Sequence, residues 1–245
     1  MQDILIGRCD HRRPAFYFEC PSYGVTPIIS VVCAIFLLLA CALARAETSA
    51  DGFVELFDGK ALQGWTQRGG QATYAVEDGT IVGTPIPNTP NTFLCTEKNY
   101  GDFILELEFK VDVGLNSGIQ IRSNSLPDYR DGVVHGYQVE IDSSERAWTG
   151  GIYDESRRGW LDDLTDNEPA RKAFQQNQWN HFRIVAEGKS IKTWLNGVPA
   201  ADLTDDMTPS GFIGLQVHGV GGPTPARVHW RNIRIKETDP QKQVE

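Results

Sequence analysis

Several common chemistries find no support in this chain. Basic residues are in the minority, 23 Lys and Arg against 32 Asp and Glu for a formal net charge of −9, and they are scattered rather than gathered in a patch. Without a basic run nothing neutralises successive phosphates, so nucleic acid is excluded as the expected partner. Cysteine is scarce: Cys9, Cys20, Cys33 and Cys41 fall near the N-terminus and only Cys95 lies beyond them. No internal disulfide can therefore staple the remainder, and no Cys/His spacing of a structural zinc site occurs. A glycine-rich phosphate loop, a Gly-x-Ser-x-Gly elbow, low-complexity tracts and solenoid repeats are also missing, which removes nucleotide and serine-hydrolase readings.

What is present divides in two. Arg8, Arg12 and Arg13 precede an uncharged stretch from Cys20 to Ala44, apolar from Ile28 to Leu43 and ending at Ala44-Arg45-Ala46. A positive segment, an apolar segment and small residues at the end are the layout of a secretory signal peptide. Residues 1–46 are therefore expected to direct export to the periplasm or beyond, with cleavage after Ala46. The same stretch also approaches the length of a retained membrane anchor, and Leu38-Leu39-Ala40-Cys41 partly matches the acylation site of a lipoprotein. Residues 47–245 are expected to form one folded unit.

In that remainder, helical periodicity is hard to find and short runs of alternating apolar and polar residues recur, each bounded by Gly, Asn, Asp or Pro. Strands are predicted over 53–57, 73–77, 80–83, 92–97, 103–112, 117–123, 137–142, 179–187, 190–195, 212–218 and 227–236. Asp78-Gly79 and Asn196-Gly197 read as tight turns, because both residue types accept the positive φ that hairpins need. The predicted class is all-β, two packed antiparallel sheets in a jelly-roll sandwich. Segments 127–136 and 148–178 read as long polar loops, the second with a helical turn at 168–174. Loops of this kind commonly build the binding site of a sandwich.

Period 2 sorts each strand into a core face and an open face. On the open face it places Glu108, Lys110, Gln120, Arg122, Gln138, Glu140, Asp142, Gln216 and His218. Any antiparallel sheet shows polar residues to water, but amides, an arginine and carboxylates are also what sugar hydroxyls require. Arg122, opposite in parity to Ile119 and Ile121, is expected to be dispensable for folding. Glu140-Ile-Asp142-Ser-Ser-Glu145 could supply two carboxylates to a retaining glycosidase, although Glu145 falls in the segment before Trp148. Tyr129, Trp148, Tyr153 and Trp160 sit in the long loops, where they could stack on sugar rings or pack the loops down. His135 and His218 stand at strand ends, positions open to a general base, a metal ligand or a plain surface histidine.

The ordered stretches Phe57-Asp58-Gly59-Lys60, Gly64-Trp65, Asp102-Phe103, Asn116-Ser117-Gly118-Ile119, Arg122, Gly136-Tyr137, Ile141-Asp142, Thr149-Gly150, Tyr153, Gly214-Leu215-Gln216, His218-Gly219 and Trp230-Arg231-Asn232 resemble the 3-keto-disaccharide hydrolase family over about residues 52–237. The resemblance implies a concanavalin-like jelly roll acting on glycosides whose glucose C3 hydroxyl has been oxidised to a ketone. Two positions depart from it: this chain has Gln138 and Glu140 where the family commonly has Glu then Gln, and Val217 where an acidic residue commonly precedes the histidine.

A C3 ketone acidifies the C2 proton, so a base can remove it, the enolate can expel the C1 substituent, and water can add to the unsaturated sugar. Such a site needs a base, an enolate stabiliser and a leaving-group acid. Glu140 or His218 is expected as the base, Arg122 or a bound divalent cation as the stabiliser, and Asn116, Gln120, Gln138 and Gln216 as hydroxyl readers. Glu108, Lys110, His135, Tyr153 and Trp160 complete the expected substrate contacts, and Glu140, Asp142 and His218 are the candidate metal ligands. The partner implied is a small carbohydrate, a 3-keto-glycoside. A retaining β-glucanase using Glu140 and Glu145 and a non-catalytic carbohydrate-binding module are the alternatives.

Overall fold

The structure is a computed structural model that describes residue 49 and residues 51–238. The expectations for residues 1–46, whether signal peptide, anchor or lipoprotein signal, lie outside the described residues. In chain order the strands are β1 (Val54–Glu55), β2 (Trp65–Gly69), β3 (Thr73–Glu77), β4 (Thr80–Thr84), β5 (Thr92–Thr96), β6 (Phe103–Val111), β7 (Ser117–Asn124) and β8 (His135–Ile141). They continue with β9 (Ile152–Glu155), β10 (Gly159–Asp162), β11 (Asn180–Glu187), β12 (Ser190–Leu195), β13 (Val198–Thr204), β14 (Phe212–Val217) and β15 (Val228–Glu237). A short helix, α1 (Glu168–Arg171), is capped by the Asn167 side chain, which accepts from the Ala170 N–H; that buried donor lies in the first turn, where the helix offers it no acceptor of its own.

The strands form an eight-stranded and a seven-stranded antiparallel sheet, so the expected all-β sandwich is what the chain adopts. The larger runs β13-β12-β11-β6-β15-β4-β3, with β1 paired to β15, and the smaller runs β10-β9-β8-β7-β14-β5-β2. Alternation explains the seam. Phe103, Leu105, Leu107, Phe109 and Val111 of β6 are fully buried, while the residues between them are half-buried. They meet Ile119, Ile121, Tyr137, Val139, Ile141, Leu215 and Val217 of the smaller sheet in one apolar cluster. Each such side chain contributes about 1.5–3 kcal/mol by leaving water. Val217 is part of this seam, so its apolar character serves the core. The hairpin dipeptides behave as expected: Asp78 and Gly79, and Asn196 and Gly197, all have positive φ, at 47°, 73°, 51° and 82°.

Two expectations fail at this level. The segment 148–178 is not one long loop, because β9 and β10 extend the smaller sheet within it. Glu108 and Lys110 share a parity with one another, but β6 belongs to the larger sheet, so neither stands beside Glu140. Glu108 instead accepts from Arg231 Nε at 2.7 Å and from Asn232 Nδ2 at 3.0 Å, and Lys110 lies over the Trp179 ring.

Candidate functional site

The outer face of the smaller sheet holds a cavity of about 290 Å³, lined in part by Asn116, Gln138, Glu140, Tyr153, Trp160, Gln216 and His218. The pairing of β14, β7 and β8 puts Gln216, Gly118 and Glu140 in one cross-strand row, with Gln120 opposite Gln138 in the next. Gly118 leaves the gap that this floor needs: a Cβ there would sit 2.5 Å from Cγ and Cδ of Gln138. The Gln138 side chain therefore lies across β7 and reaches its neighbours on both sides.

Those neighbours form a relay. Ser123 Oγ donates to Gln120 Oε1 at 2.6 Å, Gln120 Nε2 to Gln138 Oε1 at 2.7 Å, and Gln138 Nε2 to Glu140 Oε2 at 2.8 Å. From the other side, Asn116 Nδ2 donates to Glu140 Oε1 at 2.6 Å. Gln120 is fully buried and supports the floor from beneath without lining the cavity. Each carboxylate oxygen of Glu140 keeps a second lone pair for the cavity. Burial raises its pKa above the ordinary glutamate value, and nearby Asp142 pushes the same way, against the lowering by the two amides and Arg146.

Arg146 is the cation here. Its Nη2 lies 4.0 Å from Glu140 Oε1, and its guanidinium sits over the rings of both Trp148 and Trp160, at 4.6 and 5.0 Å from their centroids. Asp142 fixes it, accepting from Arg146 Nε at 2.9 Å and from the backbone N–H groups of Ser144 and Trp148. Trp148 and Trp160 meet edge to face at 4.8 Å, and Tyr153 packs edge-on against Trp160 at 5.2 Å. Tyr153 and Trp160 line the cavity while packing on one another, and Trp148 packs on Trp160.

Gln216 is fully buried on the floor, and among the described residues neither its amide nitrogen nor its amide oxygen finds a hydrogen-bond partner. Donor and acceptor of that amide stand side by side on the cavity lining, an arrangement that can answer a donor–acceptor pair such as vicinal hydroxyls. His218 stands exposed at the rim, its Nδ1 2.8 Å from the Gly219 carbonyl. A carbonyl only accepts, so Nδ1 carries the proton in that contact and Nε2 is left facing away from it.

Other expected residues are placed elsewhere. Arg122 is buried and faces away from the cavity: Nε donates to the Gly101 carbonyl, Nη1 to the Gly188 carbonyl and Nη2 to Asp102 Oδ1, each at 2.8 Å. The register slips between Ile121 and Asn124 against β8 and between Phe212 and Gly214 against β7, and Arg122 has φ 45°. This bulge turns its side chain toward the β11–β12 turn of the other sheet, so alternation counted from Ile119 misassigns it. His135 is buried, its Nδ1 contacting the Val133 carbonyl and its ring tilted at 36° against that of Tyr129. Glu145 is exposed and lies outside the cavity. Asp142 holds Arg146 rather than joining Glu140 and His218, and among the described residues no group of three or more His, Cys, Asp or Glu is arranged to hold a metal ion.

Three lining residues escaped the sequence reading: Asn91, Arg146 and Glu155. Glu155 accepts from Asn91 Nδ2 at 3.3 Å, and the Asn91 oxygen accepts from the Gly219 N–H at 2.9 Å. Burial raises the Glu155 pKa, assisted by Asp154 and opposed by Asn91, Ser156 and His218. Its strand alternates, but the inward position holds Asp154, neutralised by Arg157 and Arg158, and an inward carboxylate masks the strand pattern. Among the described residues no helix is long and apolar enough to cross a membrane.

Comparison with known proteins gives this arrangement its context. The model of the 3-keto-alpha-glucoside-1,2-lyase-like domain matches residues 52–236. A 3-keto-disaccharide hydrolase from Bacteroides thetaiotaomicron is 27% identical over 80% of this chain and 81% of its own. Among solved structures, a protein provisionally assigned as a glycosyl hydrolase from Parabacteroides distasonis superposes with a TM-score of 0.55 at 20% identity, over 80% of this chain and 99% of its own. A galectin-like protein from Bacillus subtilis also reaches 0.55, at 12% identity over 72% of this chain and 90% of its own. At these identities the structural likenesses speak for the fold.

Proposed function

Because the chain belongs to the family of 3-keto-alpha-glucoside-1,2-lyase-like domains, we propose that its polar cavity cleaves 3-keto-glucosides by elimination across C1 and C2, followed by hydration. The observation that carries this reading is Glu140, a carboxylate buried between two amide donors with a guanidinium 4.0 Å away. Glu140 takes the C2 proton, and its raised pKa makes it a stronger base than an exposed glutamate. The electron pair moves onto the C3 oxygen, where Arg146, the role expected of Arg122, offsets the charge. The enolate then reforms the ketone, makes the C1–C2 double bond and releases the C1 oxygen, and water adds to the alkene. Gln216, Asn116 and Gln138 read the remaining hydroxyls, and Tyr153 and Trp160 face the ring. An exported protein fits this reading, on the strength of the charged-then-apolar N-terminal segment.

The test is incubation with methyl 3-keto-α-glucoside and its unoxidised parent in deuterium oxide. Cleavage of the ketone alone, with deuterium entering at C2, is expected. Cleavage of the parent, or turnover without label at C2, overturns the elimination route.

A further inference from the structure

A second cavity, of about 430 Å³, adjoins the first and shares Asn91 and Glu155 with it. Its walls differ in character. Pro90, Phe93, Val133 and Val134 give an apolar surface, while Arg130 and Asp131 add a cation and a carboxylate. Amphipathic rings are matched by such a mixture, apolar on their faces and hydroxylated at their edges. Its loop is built rather than casual: Arg130, Asp131 and Gly132 take three successive left-handed conformations, at φ 46°, 57° and 83°. Non-glycine residues hold that shape only where their surroundings enforce it. Here Tyr129 supplies the anchor, donating its hydroxyl to the Ser156 carbonyl at 2.7 Å and packing its ring on His135 at 4.0 Å. Ser125 Oγ adds a bond to the Gly132 carbonyl at 2.5 Å. The loop is thereby tied to the residue that follows Glu155.

We infer that the second cavity receives the departing half of the substrate, a second pyranose, and that Glu155, at the joint between the cavities, donates a proton to the leaving oxygen. This deepens the function proposed above and rests on it. As the C1–O bond breaks, its electron pair takes the proton of the Glu155 carboxyl group. The enolate electrons meanwhile form the C1–C2 double bond and restore the C3 ketone. Glu155 is left as a carboxylate and Glu140 holds the C2 proton, so exchange with solvent resets both. The burial that raises the Glu155 pKa favours the protonated form such a donor needs.

Two substrates separate the roles: the non-reducing-end 3-keto form of maltose, whose leaving sugar needs a proton, and 4-nitrophenyl 3-keto-α-glucoside, whose leaving phenolate does not. Glu155→Gln is expected to lose about 100-fold or more in kcat on the first and less than about tenfold on the second. Equal losses on both, as a structural role would give, overturn the assignment. Val133→Trp, at an exposed loop position, should fill the second cavity and lower the maltose-to-nitrophenyl ratio of kcat/KM at least tenfold; an unaltered ratio refutes the subsite. If the wild-type protein turns over neither ketone, the function proposed above is wrong, and the cavity is judged separately by saturation-transfer NMR with unoxidised maltose. Wild-type contact to both rings, reduced to one in Val133→Trp, supports the subsite, whereas the same ring pattern in both proteins, or no binding, rejects it.

Discussion

Truncating Arg122 to alanine removes a guanidinium that joins the two sheets at one end of the sandwich. Three bonds go at once, to the carbonyls of Gly101 and Gly188 and to Asp102 Oδ1. Among the described residues the Asp102 carboxylate then keeps the bond from the Gly188 N–H at 3.0 Å and becomes a partly buried charge without its cation. Removing one partner of such a pair costs about 3–5 kcal/mol, because the other charge stays behind. For a protein of this size each kcal/mol lowers the melting temperature by roughly 2–4 °C, so a fall of about 6–20 °C is expected in a thermal melt followed by circular dichroism. Arg122→Lys should recover only part of it, since an ammonium cannot reach three acceptors with the geometry of a planar fork. A melting temperature within about 3 °C of wild type, coupled to lost turnover, would refute the structural assignment and return Arg122 to the chemistry.

Glu140→Gln is expected to lower kcat on a 3-keto-glucoside by about 10²–10⁴-fold with a near-native melting curve, while the exposed Glu145→Gln stays within about twofold; comparable losses in both would revive the retaining-glucanase alternative. Gly118→Ala must displace Gln138, and roughly a 10–100-fold loss in kcat follows from misplacing Glu140, read in steady-state kinetics beside an unchanged far-UV spectrum. Gln216→Leu removes the amide that lines the cavity floor, so steady-state kinetics should show KM raised about tenfold or more, the loss of a hydrogen bond or two to substrate; an unchanged KM would take Gln216 out of the site. Glu155 has a folded pKa above its unfolded value, so its ionisation opposes folding: stability is full below pH 4.5, the ordinary glutamate value, and falls as pH rises through the folded pKa. Glu155→Gln should therefore gain on wild type in melts at pH 8 and lose that advantage near pH 4; a constant difference across the range would contradict the shift.

The strands that could be read from sequence are those whose alternation is driven by the seam. β6 is the clearest, five apolar side chains all fully buried. Edge strands were harder because they bury little: β2 hides only Trp65, and β13 carries Pro199 and a single buried residue, as an edge next to one neighbour permits. Parity identified Gln138, Glu140 and Gln216 correctly as outward residues of the smaller sheet. It carries no information about which sheet a strand joins, hence the misplaced Glu108 and Lys110, and it breaks at a bulge, hence Arg122. Asn91, Arg146 and Glu155 come from a strand flank, a loop and a strand masked by its inward Asp154, and only the pairing of β8 with β9 brings Glu155 near the others.

The two tryptophans that share Arg146 have an optical consequence. Indole rings 4.8 Å apart at 74° are close and oblique enough for their excited states to couple, which gives a pair of circular-dichroism bands of opposite sign near the strong indole transition. Trp160 borders the cavity and Trp148 rides on the same guanidinium, so an occupant that displaces Arg146 is expected to alter the angle between the rings and hence the size of that couplet. If the proposed sugar enters the cavity, the couplet is expected to change in size without any label, and it should vanish when either indole is replaced by phenylalanine.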